Sequence, residues 1–276
     1  MTETTPFLKA SPGYRSPFLK RQSIQWLFML LGALVLLFIV APVAGLLFSS
    51  SPLKLFETIK EQEVRQSILL TLLVSFTATA LFAVAAIPFS WLLARYDFPL
   101  KRLVTAIIDL PVVIPHSAAG IALLGLISRD TLLGRIGSAA GINFVGHPAG
   151  IMLAMAFVSL PFLINAARDG FMSVPVRLEK AALTLGASQA RVFLTISLPL
   201  AWRNILSGLI LMFARGMSEF GAVIIIAYHP MITPIMIYER FTSFGLKYAQ
   251  PVAVIFILIV LLFFLLLRFL SNKTSR

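Results

Sequence analysis

The residues best placed to do chemistry are few and stand inside apolar sequence. In FARGMSEFGA (213–222), Arg215 and Glu219 are four apart. On a helix that spacing puts both on one face, where they can pair. Either charge alone in hydrocarbon would cost roughly 3 kcal/mol, so a neutralised pair facing a bundle interior is the form such a segment can tolerate. Two readings stay open: a structural ion pair holding the bundle, or a gate and counter-charge on a polar path. A second group lies in DLPVVIPHSAAG (109–120). Pro111 and Pro115 each remove a backbone donor, and His116 and Ser117 follow the second break. A broken helix in a bilayer is tolerated where protein or a watery cavity satisfies the freed carbonyls. His116 is then either a buried, hydrogen-bonded residue at a kink or, with Ser117, part of a path lining. Asp109 either reaches the interface or meets a basic residue.

Catalytic constellations are missing. There is no HExxH and no GxSxG, and the three His (116, 147, 229) are far apart in sequence. No Lys directly follows a Gly, so the phosphate-cradling GxxxxGK[ST] loop cannot be built. There is no Cys, which removes disulfides and thiolate metal sites. The chain is expected to hold no metal and no cofactor, and not to be an enzyme by itself.

What must position these residues is a set of membrane helices. Of 276 residues, 59% are hydrophobic and 12% charged; soluble domains carry about 25% charge. Six stretches are long and apolar enough to cross a bilayer: roughly 25–48, 67–93, 103–127, 149–167, 203–227 and 251–270. Their backbone groups must be satisfied internally, so they are helices, and IFILIVLLFFLLL (255–267) lacks the alternation of a barrel strand. The net charge of +12 is distributed by loop. With the N-terminus inside, fifteen Lys and Arg fall on the inner side and seven on the outer. That pattern is the positive-inside rule, with both termini cytoplasmic, and not a nucleic-acid patch. The first apolar run exceeds a signal-peptide core and reads as a retained span. Domain limits follow: a cytoplasmic tail over 1–24, a transmembrane domain over 25–271, and a short cytoplasmic tail over 272–276.

Between the spans, 54–65 alternates charge like a short outer surface helix, and Pro234 followed by IMIYERF suggests another at the outer interface. Ser67, Thr71, Ser75 and Ala78 share one face of the second span, either as a packing stripe or as a polar path lining.

The longest inner connection holds EKAALTLGASQARVFLTISLP (179–199). Ser173 can cap a helix with Pro175 in its first turn. Val174, Leu178, Ala181 and Leu185 form one apolar stripe. Gly186 suits a left-handed terminus, and Ser188 can cap a second short helix. Arg177, Glu179, Lys180, Gln189 and Arg191 make polar faces. On geometry alone, this helix-turn-helix is either an interfacial connector or an element that docks in a partner's groove.

The spacing of Gly186, Ile196, Leu198 and Pro199, with Ala181 and Ala182, resembles the EAA loop of ABC importer permeases, EAA-x3-G-x9-I-x-LP. In one respect it departs: the motif's Glu falls at Lys180, while Glu179 stands one residue earlier, about 100° around the helix. LPVVIPHSAAGIALL (110–124) and FARGMSEFGAVIIIAYHPMITPIMIYERF (213–241) are similar to the molybdate/tungstate permeases, and more loosely to sulfate permeases. The resemblance implies an all-α polytopic membrane protein of six transmembrane helices with a type I ABC importer-like permease fold. It implies a coupling loop over 173–199, with Glu179, Lys180, Ala181, Ala182, Gly186 and Ala187 in ATPase coupling. His116, Ser117, Arg215 and Glu219 are the expected path or gate. The implied partners are a cytoplasmic ABC ATPase dimer holding ATP and Mg, an extracytoplasmic binding protein, a second copy of the chain, and a tetrahedral oxyanion. The competing readings are a sulfate-type permease, an ATP-independent carrier or channel, and a membrane-embedded enzyme.

Overall fold

The computed structural model describes residues 18–273. The first unit is α1 (Phe18–Phe48), an apolar helix long enough to span a bilayer. It begins inside the expected 1–24 tail; the remainder of that tail and residues 274–276 lie outside the described residues.

Residues 50–273 form the second unit. Its helices are α2 (Pro52–Lys60), α3 (Gln62–Arg95), α4 (Lys101–Val113), α5 (His116–Ile127), α6 (Leu132–Ala139), α7 (Pro148–Ser173), α8 (Val176–Thr184) and α9 (Gln189–Val192). A π-helical turn (Phe193–Ser197) joins α9 to α10 (Leu198–Met217), followed by α11 (Gly221–Ile226), α12 (Thr233–Phe244) and α13 (Leu246–Lys273). No strand occurs among the described residues. Short helices stand at 52–60 and 233–244; the expected element over 54–65 instead ends at Glu61, and residues 62–65 open α3.

The direction of the spans follows from who meets whom. Arg95, the last residue of α3, donates to the carbonyl of Val174 just past α7 at 3.0 Å. Two long helices therefore end at one face, and the chain between them must return across. That return uses α4 and α5, which are bent by 113° at Ile114 and Pro115. Each is only about 20 Å long, so neither crosses alone, and the expected proline break is the corner between them. α10 starts beside the same face, where Ser197 meets Glu179. The chain then reaches the opposite side, where Thr233 meets Thr71, and α13 runs back. Counted with α1, five described helices are long and apolar enough to cross, and the bent α4–α5 pair makes a sixth if it is taken as one broken span.

The expected fifth span, 203–227, is not one helix. It breaks at residues 218–220, because the Glu219 carboxylate takes the N–H of Ala222 at 2.8 Å and starts α11 afresh. Ser173 does not cap α8 either. Its hydroxyl donates to the carbonyl of Gly170 within α7, and Pro175 holds the N-cap position.

α7 lies at the centre of the second unit, with Ile151, Met155, Leu163, Ala167 and Phe171 fully enclosed. The hydroxyl face of α3 packs. Ser67, Thr71, Ser75 and Ala78 are all buried, Thr71 Oγ1 accepts the N–H of Thr233 at 2.8 Å, and Ser75 Oγ donates to the carbonyl of Phe213 at 3.0 Å. In hydrocarbon these bonds stand in for water. Thr71→Val should therefore strand the Thr233 N–H and cost about 1–3 kcal/mol, read as a lower unfolding temperature of the purified protein. Thr77→Val, whose hydroxyl is exposed and bonds only within its own helix, should change it little.

Candidate functional site

Two sites emerge, one at each end of α10. The first is intramembrane. Glu219 is 1% exposed, and its Oε2 lies 3.1 Å from Arg215 Nη2, so the i, i+4 pair forms. The same guanidinium nitrogen donates to His116 Nε2 at 2.6 Å, bringing in a residue 99 positions away. His116 Nδ1 stands 3.9 Å from Glu219 Oε2, beyond hydrogen-bond reach. Gly221 makes this approach possible: a Cβ there would sit 2.7 Å from His116 Cβ. The corner between α4 and α5 is thus pressed onto the break between α10 and α11. Ser117 is exposed and makes no hydrogen bond to this cluster. The burial is asymmetric. The carboxylate is sealed, while the Arg215 and His116 side chains are 24% and 37% exposed. The open side of the cluster presents the cation.

Asp109 forms no ion pair with a basic residue among the described residues; it accepts from Asn165 Nδ2 at 2.6 Å and ties α4 to α7.

The second site is the connection between α7 and α10. Gly186 has φ +85°, a left-handed turn that a Cβ would strain. Ser188 Oγ accepts the N–H of Arg191 at 3.3 Å and caps α9. Here the helix faces are reversed from what polarity alone suggests. Leu178, Ala181 and Leu185 of the apolar stripe are exposed, as are Val176 and Leu183. Lys180 is exposed and Ala182 and Ala187 are half-buried. Glu179 points inward and is 6% exposed. Arg95 grips its carboxylate with two donors, Nε to Oε2 at 2.7 Å and Nη2 to Oε1 at 2.9 Å. Ser197 Oγ adds a third at 2.6 Å. Burial pushes the Glu179 carboxyl up, but the hydrogen bonds from Arg95 and Ser197 and the Arg95 charge outweigh it and leave it below the ordinary glutamate value.

Sequence reasoning missed Arg95 and Ser197 as partners. The only hint was the charge that closes a long uncharged run, at the end of WLLAR. On the opposite face, a cavity of about 750 Å³ is bordered by Glu61, Glu63, Glu239 and Arg240; its surplus of carboxylates would repel a dianion. Among the described residues, no His, Cys, Asp and Glu cluster could hold a metal.

Residues 86–276 match the family described as binding-protein-dependent transport system inner membrane component. The chain belongs to this family. It is therefore a multi-pass membrane permease subunit and not a catalytic subunit. A molybdate/tungstate transport system permease protein of Methanocaldococcus jannaschii is 44% identical over 88% of this chain and 95% of its own. One from Thermococcus kodakarensis is 42% identical over 93% and 100%. A sulfate transport system permease protein of Synechocystis is 30% identical over 100% and 99%. The permease also shares its fold with a bacterial ABC transporter involved in alginate import, at TM-score 0.72 and 18% identity over 95% of this chain and 100% of that one. A second solved relative is a methionine ABC transporter, at TM-score 0.59 and 12% identity over 82% and 97%. The fold is that of ABC importer transmembrane subunits.

Two outcomes follow for the charged residues of the permease. Glu219→Gln should leave Arg215 uncompensated and cost about 3–5 kcal/mol, measured by thermal unfolding; Arg215→Met with Glu219→Gln should recover most of that loss. Glu179 has a folded-state value below its unfolded one, near 4.5. Its contribution is then complete above that pH and lost as acidification passes through the folded value. Glu179→Gln should flatten this acid limb in unfolding measured from neutral pH downward.

Proposed function

We propose that this permease carries molybdate or tungstate into the cell by alternating access, driven by a separate ATPase. The observation that carries the reading is the 42–44% identity to molybdate/tungstate permeases over nearly their whole length, against 30% to sulfate permeases. The cluster at the α10–α11 break fits an anion. Its sealed Glu219 neutralises Arg215 in the resting bundle, and the guanidinium remains on the open side to meet a passing dianion. Arg is suited to a tetrahedral oxyanion because its planar fork offers paired donors. His116 shares the guanidinium at 2.6 Å, and the exposed Ser117 follows it.

Two copies of the chain form the pathway, with both termini cytoplasmic, as the loop charges favour. A binding protein delivers the anion from outside; one solved alginate transporter is a complex with such a periplasmic protein. The chain lacks a phosphate loop, so ATP and Mg belong to the partner. α8 is the docking element. Its exposed Leu178, Ala181 and Leu185 face away from the bundle, as a helix does that fills another protein's groove. Lys180, Ala182, Gly186 and Ala187 complete that surface.

Tungstate uptake into proteoliposomes loaded with binding protein outside and ATP inside tests the reading. Uptake should require ATP and be competed by molybdate far better than by sulfate. Uptake driven by an ion gradient without ATPase would refute it, and preference for sulfate would move the chain to the sulfate class. Gly186→Val should reduce ATPase co-purification, because a β-branched residue resists the left-handed turn.

A further inference from the structure

The Glu179 carboxylate ties together three elements at one point. Arg95 ends α3, Glu179 stands in α8, and Ser197 closes the π-helical turn that leads into α10. Arg95 also holds the carbonyl of Val174 at the end of α7. The Arg95 and Glu179 side chains are 9% and 8% exposed, so the joint is largely shielded from water. A bidentate guanidinium–carboxylate contact fixes direction as well as distance, and breaking a buried pair from one side is costly. The π turn has a role here. Its i to i+5 bonding, seen where the Leu198 N–H reaches the Phe193 carbonyl, widens the helix by one residue, a feature that concentrates at functional sites. Ser197 Oγ sits on the inner side at this turn, completely enclosed.

The joint also lies in line with the intramembrane cluster. α10 runs from Ser197 to Arg215 and Met217, and α3 touches its far part through Ser75 and Phe213. A displacement of α8 is therefore passed to α3 and α10 together.

We propose that Glu179, Arg95 and Ser197 are positioning residues whose buried knot makes α8, α3 and α10 move as one body, and so makes ATP hydrolysis by the partner productive for transport. Glu179 acts inside the chain; the partner touches the outward face of α8. This rests on the ATP-driven reading above.

The test uses the purified complex with its ATPase and binding protein, in proteoliposomes, with tungstate as the probe. Co-purification, ATP hydrolysis and uptake are measured for the wild type, Glu179→Gln, Arg95→Gln, the double variant and Ser197→Ala. The proposal expects each variant to keep its ATPase and to hydrolyse ATP, while ATP spent per ion imported rises by about tenfold for the Glu179 and Arg95 changes and less for Ser197→Ala. The double variant should be no worse than either single, as for two ends of one contact. Hydrolysis and uptake falling in proportion would overturn it, as would loss of the ATPase from Glu179→Gln, which would make Glu179 a docking residue. Wild type that imports tungstate without ATP would instead overturn the functional reading.

Discussion

The carboxylate of Glu179 is the contact on which the rest of the arrangement depends. A charge removed from water must find compensation within the protein, and Arg95 and Ser197 supply its hydrogen bonds. Because those two residues terminate one span and introduce another, compensating the charge also orients the helices that carry it. α8 then has no freedom to turn its other face inward. Its leucines stay outside because Glu179 is held inside.

A similar constraint governs the far end of α10. Glu219 cannot stand alone in hydrocarbon, so it recruits Arg215, caps α11 through the Ala222 N–H, and lies beside the corner where α4 meets α5. Breaks in two different spans meet there. Irregular backbone at membrane depth survives only where protein or a cavity satisfies it, and each break here lies against the other. The result is a place where a carboxylate is sealed and a guanidinium is partly open, a polarity that suits an anion and opposes a cation. The carboxylate-lined cavity on the α12 face has the opposite polarity.

Much of this was legible in the sequence because it is local. The proline corner after Asp109, the Arg215–Glu219 spacing, the left-handed turn at Gly186 and the cap at Ser188 depend on neighbours within a few residues. The five long spans and the broken α4–α5 pair followed from apolar length, and the helix-turn-helix from its Gly186 turn. The rest depended on partners that no local pattern names. Periodicity placed Val174, Leu178, Ala181 and Leu185 on one face of α8 but could not say that most of it looks outward, since that depends on Arg95, 84 residues from Glu179. His116 joins Arg215 from another span, which left its role open. The fifth span reads as continuous because a capping carboxylate inside an apolar run looks the same in sequence as a paired one. Ser173 has a capping residue's type and the wrong neighbours: α7 continues through it.

If the Glu179 contact holds as argued, α8 and the spans beneath it are one rigid body. The absence of native Cys allows spin labels to be placed at Arg177 on α8 and Leu92 on α3, both exposed. Labelled chains diluted with unlabelled ones in the ATPase complex would report their separation by pulsed electron resonance. The distance should be the same in nucleotide-free and nucleotide-trapped complexes. A shift approaching one helical turn, about 5 Å, would show α8 moving independently of α3 and would contradict the account.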